Sequence, residues 1–349
     1  MDQFTMTLIT VAIIVAIPIM IFLIGFCGAA VMYESIFGKR FEIYDTPLLP
    51  DANDYPELVS EPVSFDSEKK YKYTGCYYRD KKYKQFKGLV VFSHGIFDGH
   101  LSYLPQIAYF AARGYKVFGF DNTGSHLSGG KSIRGLPQSA ADLNMALKYL
   151  SAENDLPLLL FGHSWGGYAV SAVSCCGEHN IKGIFVQSGF NRSLDMLLEE
   201  GSRMYGAYVR AMAVYIKIYE RFKFGKRAAY TAAKGAQLAT GRGTKMLIMH
   251  STDDDTISLK NSVLSNVVKN DNITFLALKN KGHQSLNSDA SIKYRRQLDI
   301  QFIEEYHGSG TRRQRVMFYA EHGDKKLYHE LDYKLMSKVA EFFDEVIIK

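Results

Sequence analysis

The first thirty residues are almost uniformly apolar. No charged residue occurs between Gln3 and Tyr33, and Leu8 to Phe26 is dense in isoleucine, valine and leucine. At about 1.5 Å per residue, a helix of this length exceeds the roughly 30 Å hydrocarbon core of a bilayer. A cleaved signal peptide would need a positive start and a shorter apolar core. The pattern therefore predicts an uncleaved, single-pass N-terminal anchor over residues 1–33, in which Pro18 is tolerated.

A stretch rich in proline and polar residues follows, and it predicts an extended linker over residues 34–60. Lys39 and Arg40 come directly after the apolar helix, and no Lys or Arg precedes it. The positive-inside bias then favours a C-terminal domain on the cytoplasmic side. Gly25 and Ala29 form a small-xxx-small pair of the kind that packs two helices together.

Residues 61–349 alternate between short apolar runs and amphipathic helical patterns. The predicted strands cover residues 71–78, 88–93, 115–120, 158–161, 181–186, 245–249 and 273–278. The first is aromatic and alternating, as in an antiparallel edge strand. The alternation predicts an α/β fold, with a mostly parallel sheet and helices on both faces.

Two parts of this domain depart from the alternation. Residues 190–241 show only helical spacing, which predicts a helical insertion. A cap that lines a ligand pocket is favoured over helices packed on the sheet edge. Towards the C-terminus, residues 288–307 and 331–348 are predicted helices. The polar segment 308–323 between them carries Arg312, Arg313 and Arg315, and no chemistry is assigned to it.

The amino-acid composition is consistent with this predicted α/β domain and N-terminal anchor. The hydrophobic fraction is 47%, charged residues make up 22%, and the net charge of +6 is mild, with no nucleic-acid-binding motif. The four cysteines (Cys27, Cys76, Cys175 and Cys176) show no metal-ligand spacing, so neither a metal nor another cofactor is expected.

The chemistry begins at Gly162-His163-Ser164-Trp165-Gly166-Gly167, which lies between a predicted strand and a predicted helix. Strand, Gly-x-Ser-x-Gly turn and helix in this order form a nucleophile elbow. The glycines allow a turn so tight that the serine is strained and its hydroxyl is exposed above the sheet. Ser164 is therefore the predicted nucleophile.

A serine nucleophile needs a histidine base and a carboxylate that orients the base. In this architecture the acid and then the histidine follow the serine along the chain. His283, just past the last predicted strand, is favoured over His163, His250, His307, His322 and His329. Asp254 is the predicted acid, because it lies three residues before the aliphatic Ile257. Asp253 and Asp255 remain alternatives, and Asp195 is a more distant one.

Two backbone N–H groups are needed to hold the oxyanion of acyl transfer. Trp165 supplies one, directly after the nucleophile, and Ile96 is predicted to supply the other from the loop that begins Ser93-His94-Gly95. His94 is expected to brace this loop rather than to transfer protons.

Taken together, these residues resemble the α/β-hydrolase superfamily, most closely its monoacylglycerol-lipase-like and serine-aminopeptidase-like branch. The similarity covers roughly residues 60–349 and includes the His94-Gly95 loop, the elbow, Asp254 and Gly282-His283. Residues 121–129 lack the arginine and second glycine that this branch usually carries. The resemblance implies an eight-stranded, mostly parallel sheet with a variable cap.

The sequence thus predicts a membrane-anchored serine hydrolase that cleaves carboxylic esters of lipids or small acyl compounds through an acyl-enzyme. An aminopeptidase is the alternative within the class, with Glu199, Glu200 or Glu220 available to bind a substrate amine. A catalytically silent scaffold protein is the alternative from another class. The sequence gives no oligomeric state.

Overall fold

A computed structural model describes residues 2–42, 46–308 and 310–348. Eight strands form one sheet: β1 (Leu58–Asp66), β2 (Lys72–Asp80), β3 (Leu89–Ser93), β4 (Lys116–Phe120), β5 (Leu158–His163), β6 (Ile181–Gln187), β7 (Lys245–Ser251) and β8 (Ile273–Leu278). The helices are α1 (Gln3–Phe37), α2 (Leu104–Ala111), α3 (Gln138–Glu153), α4 (Trp165–Ala172), α5 (Ser193–Tyr205), α6 (Tyr208–Ala211), α7 (Ala213–Phe224), α8 (Ala232–Gly241), α9 (Val263–Asn266), α10 (Asp289–Glu305), α11 (Arg312–His322), α12 (Lys325–Tyr328) and α13 (Tyr333–Ile348).

The strand order is β1-β2-β4-β3-β5-β6-β7-β8. The β1–β2 and β2–β4 pairs are antiparallel, whereas all pairs from β4 to β8 are parallel. The predicted α/β-hydrolase architecture, with a mostly parallel eight-stranded sheet, is therefore confirmed. In such a sheet the ligand site lies beyond the carboxyl ends of the strands.

Apolar side chains cover both faces of the sheet. One core layer packs strand residues against α3, α4 and α8, with Leu143, Ala169 and Ala236 buried from those helices. The other layer packs against α2 and α13 and buries Phe110 and Phe343. Central strands buried on both faces explain the continuous apolar runs in the sequence.

The predicted edge strand over 71–78 is an interior strand, β2, because β1 pairs along its whole length. The sequence pattern missed β1 because Pro62 and several polar residues interrupt its apolar positions. Proline is tolerated at such a place because an edge strand leaves some N–H groups unpaired. The predicted linker 34–60 is accordingly shorter, since α1 continues to Phe37 and β1 begins at Leu58. Residues 43–45 of it lie outside the described residues.

Helix α1 is the one described helix whose length and composition would let it cross a membrane. Asp2 caps it by accepting a hydrogen bond from the Thr5 N–H at 2.7 Å. Its first part is exposed, whereas Ala29, Tyr33 and Phe37 are buried against the rest of the protein. The helix is therefore packed onto the domain that follows it.

Residues 190–241 fold into four helices. Helices α5, α6 and α7 are called the cap below, and Glu199 of α5 accepts hydrogen bonds from Ser258 N and Asn261 Nδ2 in the loop after β7. Helix α8 instead belongs to the layer on the sheet, because a Cβ at Gly235 would lie 2.1 Å from the carbonyl oxygen of Ser171 in α4. Only Gly permits helices to approach this closely.

The polar segment 308–323 contains a helix that the sequence pattern did not predict. In α11 the side chains of Thr311 and Gln314 form a capping box at the N-terminus. The helix buries Phe318 against Leu298 and Phe302 in a small separate cluster. Arg312 and Arg313 are exposed, whereas Arg315 is half-buried and stacks on the Phe302 ring, 4.2 Å from its centroid. The three arginines make the segment polar in sequence although one side of the helix is apolar.

Candidate active site

Ser164 lies at the sharp turn between β5 and α4, with φ 57° and ψ −114°. Positive φ is rare for a residue with a side chain and is found where the surrounding structure enforces it. The turn lies at the carboxyl end of β5, in the middle of the sheet, where parallel strands present their side chains to a ligand.

Two glycines make the turn possible. A Cβ at Gly162 would lie 2.3 Å from the carbonyl oxygen of Gly166, and a Cβ at Gly166 would lie 1.8 Å from that of Ser93. Real Cβ atoms do not approach backbone oxygens so closely. The glycines of the elbow are thus required by the packing of the turn on β3.

His283 and Asp254 meet at the carboxyl ends of β8 and β7. Nδ1 of His283 lies 2.8 Å from Oδ2 of Asp254 and 3.1 Å from Oδ1. The backbone of His283 is also fixed, since its carbonyl oxygen accepts hydrogen bonds from Ser188 Oγ (3.0 Å) and His163 Nε2 (3.3 Å). The histidine is thereby tied to the residue that precedes Ser164.

Asp254 is positioned by its own turn. Its Oδ1 accepts hydrogen bonds from the N–H groups of Thr256 and Ile257, both at 2.9 Å. Burial favours the neutral acid, but the His283 hydrogen bond, its charge and the Ile257 N–H outweigh burial and lower the pKa of Asp254. The carboxylate is therefore charged at neutral pH and fixes the tautomer of His283.

The alternative acids are placed differently. Asp253 accepts a hydrogen bond from Ser251 Oγ, Asp255 is exposed, and Asp195 lies in the first turn of α5. Of these candidates, Asp254 is the one whose carboxylate contacts His283.

Other histidines near the site have structural partners. Burial and the nearby His283 lower the pKa of His163 to about 3, so its ring stays neutral and accepts a hydrogen bond from Tyr103 Oη at 2.8 Å. Nε2 of His250 donates to the carbonyl oxygen of Ile257 at 3.0 Å. His94 donates to Gly95 O (2.6 Å) and accepts from Asn122 N (3.0 Å), which braces the loop after β3.

That loop brings Gly95 against Ser164. A Cβ at Gly95 would lie 3.7 Å from the Cβ of Ser164, and the Gly95 N–H donates to Tyr103 Oη at 3.0 Å. Ile96 follows directly. On the other side, Trp165 is the first residue of α4, so its N–H has no acceptor within the helix. Its indole Nε1 donates to Leu136 O at 2.7 Å and holds the helix start in place.

A buried polar network supports the loop over residues 121–129. Asp142 accepts hydrogen bonds from Thr123 N (2.7 Å), Tyr73 Oη (2.6 Å) and Gln138 Nε2 (2.7 Å). Asp121 in turn accepts from His100 Nδ1 at 2.9 Å. These contacts give the loop a fixed shape without the arginine and second glycine of related sequences.

Two residues around the site were missed by sequence reasoning: Tyr103, which bridges the loop after β3 to His163, and Ser188, which holds the His283 carbonyl. Ser188 follows β6 directly and has φ 49°, so its position at a strand end was the available signal. Tyr103 lies in a helical turn before α2 and had no such signal.

The three glutamates of the cap, Glu199, Glu200 and Glu220, already have partners. Glu199 binds Ser258 and Asn261 as described, and Glu200 forms an ion pair with Arg203. Glu220 is buried and accepts hydrogen bonds from Ser193 Oγ (2.5 Å) and Tyr33 Oη (3.1 Å). Within the described residues, no group of three or more His, Cys, Asp or Glu side chains is arranged to hold a metal ion.

Comparison with known proteins supports the fold. The sequence model of the serine aminopeptidase S33 family matches residues 84–193, which include the loop after β3 and the elbow. A search of curated protein sequences finds no significant match.

Among solved structures, an esterase from Pyrococcus furiosus is 14% identical, with a TM-score of 0.53 over 82% of this chain and 99% of the other. An α/β-hydrolase from Penicillium is 17% identical, with a TM-score of 0.50 over 69% and 97%. An acetyl xylan esterase from Paenibacillus is 14% identical, with a TM-score of 0.50 over 80% and 92%. The resemblance to the α/β-hydrolases is confirmed.

Proposed function

We propose, from this α/β-hydrolase fold, that the protein is a serine hydrolase that cleaves carboxylic esters through an acyl-enzyme. Ser164 attacks the ester carbonyl, and His283 accepts the hydroxyl proton and then donates it to the leaving alcohol. Asp254 orients His283 and stabilises its charged form. The N–H groups of Ile96 and Trp165 hold the oxyanion, and water then releases the acid.

One observation carries this proposal: the contact of Asp254 with His283, whose backbone is bonded to His163 beside the strained Ser164. Within the described part of the chain, Ser164 Oγ makes no hydrogen bond. Catalytic hydrogen bonds without a substrate are often long and tighten in the Michaelis complex. The three side chains follow in the order that this fold requires.

Labelling with a fluorophosphonate tests the nucleophile. The full chain in detergent is expected to be labelled, and Ser164→Ala is expected to lose the label. Ser171→Ala is a matched control, because Ser171 lies on the same helix and bonds only the Gly167 carbonyl. Equal labelling of wild type and Ser164→Ala would refute the proposal. A series of para-nitrophenyl esters of increasing chain length then gives the acyl preference.

Ester hydrolysis is favoured over removal of an N-terminal residue because Glu199 and Glu220 are already committed to internal hydrogen bonds. A substrate ammonium needs a carboxylate that faces it.

Parallel assays with a para-nitrophenyl ester and an aminoacyl para-nitroanilide distinguish ester hydrolysis from aminopeptidase activity. Faster turnover of the anilide would reverse the assignment. A scaffold role would require that Ser164→Ala preserve every cellular function.

We also propose that α1 holds the domain in a membrane, on the strength of its apolar and exposed first part. The cytoplasmic orientation depends on Lys39 and Arg40. Arg40 has a structural duty as well, since it donates to the carbonyl oxygens of Ser128, Gly130 and His126. Protease digestion of sealed, right-side-out cells is expected to spare the domain, and cleavage there would reverse the orientation.

A further inference from the structure

Helix α1 has an exposed part and a packed part. Residues 6–24 are exposed, and contacts with α7 begin at Phe22 and Gly25. A Cβ added at Gly25 would lie 2.4 Å from the Tyr215 ring of α7. From Gln3 to Ile24 the helix is about 33 Å long at about 1.5 Å per residue. That length matches the roughly 30 Å hydrocarbon core of a bilayer.

The packed part runs alongside α7 in the same direction. Phe22 and Tyr215 have ring centroids 5.8 Å apart, as do Phe26 and Tyr219. Further on, Glu34 accepts a hydrogen bond from Tyr219 Oη at 2.6 Å and pairs with Lys223. The start of α7 is therefore level with residues 22–26 of α1, where the exposed part ends.

From this level onwards the exposed face of α7 is apolar over about 12 Å, from Val214 to Phe222, which adjoins Lys223 and so lies near the level of Glu34. Val214, Ile218 and Phe222 recur every four residues and form a stripe along α7, and Phe222 is 80% exposed. Met204 and Tyr208, in the preceding helices α5 and α6, extend the exposed surface. Tyrosine beside aliphatic side chains is typical of a membrane–water interface.

Charge around this stripe is strongly positive. Residues 203–227 contain seven Arg or Lys and one acid, Glu220, which is buried. Among the described ion pairs, none neutralises Arg210, Lys217, Arg221 or Lys226. A basic rim around apolar side chains matches the headgroups of an anionic bilayer.

We propose that the stripe of Val214, Ile218 and Phe222, with Met204 and Tyr208, lies against the headgroup layer of an anionic bilayer, while residues 3–24 cross the same membrane at a tilt that brings the exposed face of α7 down to the lipid surface. The inference rests on the proposed membrane function of α1. The inference extends that function, because α1 and α7 together then hold the cap, and not only α1, against the lipid surface.

The test uses the full chain in phosphatidylglycerol-containing vesicles, with brominated lipids as depth-sensitive quenchers. Trp165 is the single tryptophan and is buried, so it gives a low common background. Val214→Trp and Phe222→Trp are expected to be quenched several-fold more than wild type. Ile348→Trp is the matched control: Ile348 is equally exposed, but neighbouring Ile347 lies near Gly88 at the amino ends of the strands, away from the cap.

The outcomes separate the two proposals. A chain that does not float with the vesicles would refute membrane anchoring itself. A chain that floats while Val214→Trp and Phe222→Trp are quenched no more than Ile348→Trp would refute the cap surface alone. As a second readout, Lys217→Glu with Arg221→Glu is expected to reduce the quenching of the Phe222→Trp variant. Unchanged quenching would refute the contribution of the basic rim.

Discussion

Asp254 combines several contacts in one side chain. Its carboxylate accepts N–H groups from its own turn and holds His283, and the side chain is fully buried. Three consecutive aspartates offer the same chemistry, and the backbone turn decides which of them reaches His283. The spacing to Ile257 follows from this turn, because the Ile257 N–H bonds Asp254 while its side chain returns to the core.

Asp254→Asn is expected to lower kcat on a soluble ester by about four orders of magnitude, because an amide favours the wrong tautomer of His283. Thermal unfolding should change little, since the amide oxygen still accepts the turn N–H groups. Asp253→Asn is the matched control and is expected to leave kcat nearly unchanged. A larger loss in Asp253→Asn than in Asp254→Asn would transfer the role to Asp253.

Tyr103 positions the loop that carries Ile96. Its hydroxyl accepts the Gly95 N–H and donates to His163. Tyr103→Phe is expected to lower kcat about tenfold with little change in KM, since a net hydrogen bond contributes about 1 kcal/mol and the loop serves the transition state. An effect confined to unfolding temperature would make the residue structural only.

At the scale of elements, the elbow depends on β3, β5 and α4 approaching closely. Gly166 lies where the start of α4 crosses the end of β3. Contacts between elements that are distant in sequence therefore require these glycines. The Gly-x-Ser-x-Gly motif is the part of this requirement that can be read from the sequence.

Gly166→Ala is expected to reduce the free energy of unfolding by at least about 3 kcal/mol, because the new Cβ overlaps a backbone oxygen that cannot move away. Gly241→Ala, at the end of α8, is the control: nothing lies within 4 Å of its added Cβ, and the change should be neutral or slightly stabilising. Chemical denaturation in detergent measures both. Similar stabilities of the two variants would contradict the steric argument.

Some elements could be predicted from the sequence and others could not. The parallel strands were predictable because burial on both faces leaves uninterrupted apolar runs. Strand β1 was not, since an edge strand tolerates Pro62 and polar residues, and α11 was not, because only Phe318 and its neighbour face inwards. Ser164, His283 and Asp254 follow strands in a fixed order, whereas Tyr103 reaches the site only through the tertiary fold.

At the scale of the whole molecule, Glu220 joins three parts of the structure. It lies on α7 and accepts hydrogen bonds from Ser193 at the start of α5 and from Tyr33 of α1. Burial raises its pKa from 4.5 to about 7, and the two hydrogen bonds only partly offset this. Near neutral pH the Glu220 carboxyl is therefore only partly ionised, and the packing of α1 on the cap depends on its protonation.

Because the folded-state pKa of Glu220 exceeds that of the unfolded chain, folding takes up a proton. This contribution to stability is greatest below about pH 4.5 and is lost as pH rises through about 7, amounting to about 3 kcal/mol. Glu220→Gln is expected to remove that loss, so the variant should unfold at a higher temperature than wild type at pH 8 and at a similar one at pH 4.5. The same temperature difference at both values would contradict a titrating Glu220.

The long sequence separation between Tyr33 and Glu220 also has a consequence for biosynthesis. The two residues lie 187 positions apart, and at roughly 5–20 residues per second the ribosome needs roughly 10–40 s to make the intervening chain. Throughout that interval α1 has emerged without its partner helix. Its residues Tyr33 and Glu34 stay without their α7 partners until α7 is synthesised. Helix α1, made well before α7, thus completes these contacts late in synthesis.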